Sequence, residues 1–122
     1  MKIILVILGA SFGATARYLM AGYISSVSKG DFPWGTLAVN LAGCLAIGLL
    51  WAFAEKGDWS MGTRAFVFVG VLGGYTTFSS FGLETMRLFQ DGLAVQALLY
   101  VLLSNILGVG LVWTGYAAAR HI

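Results

Sequence analysis

Gly73-Gly74-Tyr75-Thr76-Thr77-Phe78-Ser79-Ser80-Phe81-Gly82 decides how this chain is read. The stretch lies inside an apolar run, yet it carries paired glycines, four Ser and Thr hydroxyls, a tyrosine and two phenylalanines three apart. Hydrocarbon offers no partner for hydroxyls or for unwound backbone. At membrane depth such a sequence faces a cavity, an ion or a protein neighbour. Its surroundings must establish that depth.

Of the 122 residues, 59% are hydrophobic and 10% charged, whereas soluble domains carry about 25% charged residues. That difference implies an all-α integral membrane protein, one domain over residues 1–122. The seven basic residues are scattered and the net charge is +2, so the clustered cations that nucleic acid requires are missing. Cys44 is the only cysteine and allows no intrachain disulfide; it reads as a small hydrophobe in a helix. His121 reads as a solvated tail residue. Lys2, the run Ile3 to Leu8 and Ala14-Thr15-Ala16 imitate a signal peptide, but apolar character continues to Ile24, which favours a retained span.

Four spans are expected, at about residues 3–25, 34–54, 65–89 and 93–119. The first would reach roughly 33 Å, enough to cross the hydrocarbon core. Its Gly9, Gly13 and Arg17 recur at four-residue spacing with Ala10 and Ala14 beside them, a stripe that lets another helix approach closely. Arg17 either points at protein or water or snorkels to the interface. In the second span Thr36, Asn40, Gly43 and Ile47 share a face. An unpaired amide in hydrocarbon costs a few kcal/mol, so Asn40 needs a partner, either as glue between helices or within a permeation path. The third span holds the opening stretch near mid-membrane. Paired glycines followed by hydroxyls predict a local break at Gly73-Gly74. Glu84 and Arg87, three apart, are placed to pair along the helix. Tyr100, Ser104 and Gly108 form one stripe of the fourth span, and Asn105 faces elsewhere, toward another helix. Phe78 and Phe81 read either as a core pair or as rings whose positive edges attract an anion.

With the N-terminus inside, Lys2, Lys56, Arg64 and Arg120 fall on one side; Lys29, Arg87 and an outward Arg17 fall on the other. Four against three scarcely selects an orientation. A chain that inserts both ways round makes an antiparallel homodimer, with its two-fold axis in the membrane plane at the break. Freed carbonyls from Gly73 to Thr76 are hard ligands for a small cation, two from each copy. No nucleophile–base set, metal-ligand cluster or phosphate loop is visible, so an enzyme is not expected.

The opening stretch resembles the signature of the Fluc/CrcB family of bacterial fluoride channels. So do Gly9-Ala10-Ser11-Phe12-Gly13-Ala14-Thr15-Ala16-Arg17-Tyr18 and Gly35-Thr36-Leu37-Ala38-Val39-Asn40-Leu41-Ala42-Gly43. The resemblance spans all four apolar segments. It implies a dual-topology antiparallel homodimer with two narrow pores in the bacterial plasma (inner) membrane, passing fluoride out of the cytoplasm passively and so relieving its toxicity. It implies that Phe78 and Phe81 line the pores, that Asn40 is the pore asparagine, and that Thr36, Tyr100 and Ser104, with Ser79 and Ser80, form a polar track. The carbonyls of Gly73 and Thr76 would hold a structural Na⁺ at the dimer interface. Many members carry a hydroxyl one turn beyond Ser104, where this chain has Gly108.

Two other readings compete. A small multidrug-resistance-type exporter of lipophilic cations also has four spans, but that class resembles an exchanger driven by an acidic residue in its first span, and this one has none. A structural subunit without transport would account for the glycine stripes and leave the polar stretch unexplained.

Overall fold

The computed structural model describes residues 1–122 as four helices, each long and apolar enough to cross a membrane: α1 (Lys2–Val27), α2 (Trp34–Lys56), α3 (Met61–Gln90) and α4 (Ala94–Arg120). Three are continuous. The third is interrupted: a first turn (Met61–Arg64), a wider π-helical stretch (Ala65–Leu72) and a last turn (Gly73–Tyr75) make one arm, and Phe78–Gln90 makes the other. The span begins four residues earlier than the apolar run predicts because Ser60 caps it, its Oγ accepting from the Thr63 amide at 3.1 Å.

The break also lies three residues later than predicted. Gly73 keeps helical angles (φ −64°, ψ −34°). The chain opens at Thr76 (ψ 160°) and Thr77 (φ −149°, ψ 121°), both extended. The glycines serve a different purpose. A methyl group on Gly74 would sit 2.8 Å from the Ala10 carbonyl oxygen, and one on Gly9 would sit 2.6 Å from that of Phe66. Glycine therefore brings α1 and the first arm of α3 together backbone to backbone, as the small-residue stripe of α1 predicts. Gly13, against Val71 and Tyr75, extends the same seam.

The second pair of helices repeats the device. α2 packs extensively along α4, with Gly48 against Val112 and Gly115 against Leu45 and Leu49. The second arm of α3 lies on α4, where Leu88, Leu37, Ala97 and Tyr100 form a small core with Phe32, Phe81 and Leu103 around it. Gly92 (φ +75°) supplies the left-handed residue that reverses the chain between α3 and α4; beside it the Leu93 amide donates to the Leu88 carbonyl at 2.8 Å.

Only 18 of the 122 residues are buried within one chain, and many large side chains face outward, Phe12, Leu102, Ile106 and Phe78 among them. Those outer faces suit lipid or a second protein surface.

Candidate functional site

The interruption in α3 is held open by named groups. The Thr76 amide and hydroxyl both donate to the Leu72 carbonyl, each at 3.0 Å. The Thr77 amide turns away from the helix and donates to Asn40 Oδ1 at 2.8 Å, while Asn40 Nδ2 donates to the Thr77 carbonyl at 3.0 Å. The Asn40 side chain thus pairs with Thr77 as a neighbouring strand would, satisfying both main-chain groups that the open conformation releases. Thr77 Oγ1 then caps the second arm, accepting from the Ser80 amide at 3.2 Å. Gly43, buried on α2, leaves space for the Thr76 methyl.

Two carbonyls lose their helical donors in this arrangement. The Gly73 oxygen receives neither the Thr76 nor the Thr77 amide, and the Thr76 oxygen accepts no hydrogen bond. Both are neutral hard oxygens, and no cluster of His, Cys, Asp or Glu stands near them that would select a different metal. Both are of the donor type that a small monovalent cation takes.

Beside the break is a cleft of about 350 Å³. Asn40, Thr76, Thr77, Phe78, Phe81 and Ser104 line it, with Cys44 and Asn105 at its α2 and α4 walls, and none of its lining residues carries a charge. The Phe78 and Phe81 rings lie 5.6 Å apart at 46°, and Phe81 meets Tyr100 edge to face at 5.1 Å. Phe78 is 83% exposed in the single chain. Ser104 Oγ is buried and has no hydrogen-bond partner. Asn105 does not turn to another helix as expected. It is exposed and donates to its own Val101 carbonyl.

A second cleft, of about 550 Å³, opens between α1, α2 and the second arm of α3, lined by Arg17, Ser25, Thr36, Thr77, Ser80 and Glu84. Thr77 borders both clefts. The predicted residues therefore divide: Asn40, Phe78, Phe81 and Ser104 gather in the first, Thr36 and Ser80 in the second. Ser79 is exposed outside both, its hydroxyl 3.4 Å from that of Thr77. Tyr100 is fully buried between them, its ring on Phe81.

The expected Glu84–Arg87 pair does not form. Glu84 accepts from Thr36 Oγ1 and from the Tyr100 hydroxyl, each at 2.7 Å. A carboxylate at membrane depth takes the nearest buried donors; Arg87 is exposed one turn farther toward the helix end. Glu84 and Thr77 are the residues that reading the sequence missed. An acidic residue isolated in an apolar span, with hydroxyls on two other spans, was the available signal for the first.

Comparison with known proteins gives a consistent picture. Residues 4–116 match the family described as CrcB-like protein, Camphor Resistance (CrcB). A fluoride-specific ion channel FluC of Parabacteroides distasonis is 42% identical over 121 residues, covering 99% of this chain and 94% of that protein. One from Desulfotalea psychrophila is 47% identical over 116 residues, covering 95% and 90%. One from Salinibacter ruber is 40% identical over 122 residues, covering 100% and 92%.

Proposed function

The chain belongs to the CrcB family, and on that premise we propose that it is a fluoride-selective channel of the bacterial membrane, through which fluoride leaves the cytoplasm passively. The observation that carries this reading is the charge-free cleft beside the break. Fluoride is small and strongly hydrated, so a selective path must replace its water with many weak donors. A fixed positive charge would hold the ion; weak contacts let it leave. Asn40 Nδ2 keeps one N–H after donating to Thr77. The buried Ser104 hydroxyl has no internal partner. The edges of Phe78 and Phe81 add positive quadrupole without charge. These groups would receive the ion in turn, with Thr36 and Ser80 in the second cleft continuing the polar lining on the far side of Thr77.

The working unit in this proposal is an antiparallel homodimer. Supporting it are the outward-facing Phe78, the small buried fraction of one chain and the near-balanced distribution of Lys and Arg. Two copies related by a two-fold axis through the breaks would bring the Gly73 and Thr76 carbonyls together as four oxygen ligands. A Na⁺ bound there supplies a positive centre that joins the two chains. Thr76 also presents its methyl to Gly43, so the residue that offers the carbonyl is packed in place from α2.

A proton-coupled exporter fits less well, because the one acidic group deep in a span, Glu84, is engaged by two hydroxyls and lies outside α1. The test is reconstitution. Purified protein in liposomes is expected to dissipate a fluoride gradient rapidly and leave a chloride gradient standing, as followed by ion-selective electrodes. Fluoride retained in well-reconstituted vesicles refutes the channel.

A further inference from the structure

Tyr75 has no role in the reading above, and it lines neither cleft. It nevertheless stands between Gly73 and Thr76, the two residues whose carbonyls are free. It ends the first arm of α3, and in that final turn, Gly73–Tyr75, it is the only residue with a side chain. Paired glycines leave a helix end free to fray. Tyr75 is held instead at three points. A methyl group on Gly13 of α1 would sit 2.8 Å from the Tyr75 nitrogen, and one on Gly43 of α2 would sit 3.5 Å from the ring carbon Cδ1. The hydroxyl donates to the Met20 sulfur on α1 at 2.7 Å. A hydroxyl in apolar surroundings needs a partner, and a thioether is a weak acceptor that still supplies one. Both side chains are half-buried.

We propose that Tyr75 is a positioning residue: anchored through its hydroxyl to Met20, it fixes the last turn of the arm so that the Gly73 and Thr76 carbonyls stay set relative to one another for a cation. This rests on the Na⁺ reading given above. Asn40 braces the break from α2, through Thr77. The Thr76 amide and hydroxyl reach back only to Leu72, within the same arm, and tie it to no other helix. The Tyr75–Met20 bond supplies the missing tie, from α1 and on the Gly73 side. Without it the glycine seam still holds the arm on α1, but the final turn can rotate about its two glycines and the two oxygens no longer move as a unit. In a dimer the loss occurs twice, once in each chain.

The test is a Na⁺ titration of the full-length protein in detergent, with a bulky organic cation keeping ionic strength constant and the dimer fraction read by size-exclusion chromatography. Tyr75→Phe removes the hydroxyl and keeps the ring. It is expected to need about tenfold more Na⁺ for half-maximal dimer, the scale of two weak hydrogen bonds lost per dimer. Met20→Leu removes the acceptor and keeps the bulk, and should shift the titration equally. The double variant should be no worse than either single one, because all three lack the same bond. Melting supplies the readout that a purely structural bond would not move: the gain in melting temperature on adding Na⁺ should shrink in the variants. A Tyr75→Phe titration that superimposes on the wild type overturns the proposal. So do shifts that add in the double variant, or a melting temperature that falls equally with and without Na⁺. Should Tyr75→Phe fail to purify, Met20→Leu reads the same bond from its other end. A wild type indifferent to Na⁺ sinks the cation reading itself, and this inference with it, whereas a Na⁺-dependent wild type with unshifted variants sinks this inference alone.

Discussion

Replacing Asn40 by alanine isolates what keeps α3 open. The substitution removes two hydrogen bonds at once, from Thr77 N–H to Oδ1 at 2.8 Å and from Nδ2 to the Thr77 carbonyl at 3.0 Å. Neither Thr77 group has another partner. Interhelical hydrogen bonds in membranes contribute about 0.6 kcal/mol on average and up to about 1.7. These two belong at the upper end, since each loss strands a main-chain group where water is scarce, a cost of about 1–3 kcal/mol for a buried group. Allowing for their half-burial, the pair amounts to about 2–3 kcal/mol. For a chain of this length that lowers the melting temperature by roughly 10 °C. Asn105→Ala is the control: it lies on the same cleft but donates only to its own helix, at Val101, and is exposed, so its effect should stay within about 0.5 kcal/mol. Thermal unfolding of the purified protein in detergent, followed by circular dichroism, measures both, and fluoride efflux from liposomes runs in parallel. We expect Asn40→Ala to lose melting temperature and flux together. If it melts with the wild type while flux disappears, Asn40 acts on the ion alone and the bracing argument is wrong.

Other outcomes follow from the same geometry. Phe81→Ile keeps bulk against Tyr100 but removes the ring edge, so fluoride efflux should fall by at least about tenfold while dimer and fold persist on size-exclusion chromatography; unchanged flux returns the Phe78–Phe81 pair to core packing. Gly13→Ala forces a methyl group into the backbone of α3, where the Tyr75 nitrogen would lie 2.8 Å away, and should cost about 1–3 kcal/mol in thermal unfolding. Gly22→Ala, with nothing within 4 Å, should stabilise by up to about 1 kcal/mol; equal effects at the two sites would refute the seam. Tags on the C-terminus should be reachable from both sides of the membrane, and exchange of Na⁺ for a bulky organic cation should shift the dimer toward monomer in detergent. A single orientation, or a dimer indifferent to the cation, contradicts the antiparallel unit.

The spans were legible because their boundaries are chemical. Lys29 to Asp31, Glu55 to Arg64 and Gln90 to Gly92 cannot lie in hydrocarbon, and the runs between them are apolar enough to cross it. The α1 seam was legible for a similar reason, since small residues at four-residue spacing have one plain use at this depth. The position of the break was not. Gly73-Gly74 looked like the weak point because glycine costs a helix about 1 kcal/mol. That cost is offset when the missing side chain lets two backbones touch, as Ala10 and Gly74 do. What opens the helix is a side chain 37 residues away, Asn40, offering Thr77 a better partner than its own helix. Glu84 teaches the same lesson. Arg87 was its near neighbour in sequence, yet Thr36 lies 48 residues away and Tyr100 16, and these hold the carboxylate. Local spacing lists possible partners; burial decides among them.

The pattern of unmet polar groups carries the functional argument further than any one residue. A break made only for packing would leave its orphaned groups wherever the chain happened to part. Here the Thr77 amide and carbonyl, the Thr76 hydroxyl and the Ser80 amide are all paired, and each partner is specific. The groups left over lie on one side of the break: the Gly73 and Thr76 carbonyls, which are acceptors, and the Ser104 hydroxyl and Cys44 thiol, which can donate. Gln96 Oε1, near the start of α4, is the one buried side-chain oxygen or nitrogen without a partner elsewhere. Acceptors suit a cation and donors suit an anion, and residues of both kinds line this one cleft. A cation held by the carbonyls would be fixed by main chain that Asn40 braces, while an anion beside the rings would meet only neutral donors. The bracing of Thr77 by Asn40 is thus the step on which both proposed sites depend, which is why one substitution there should disturb stability and conduction together.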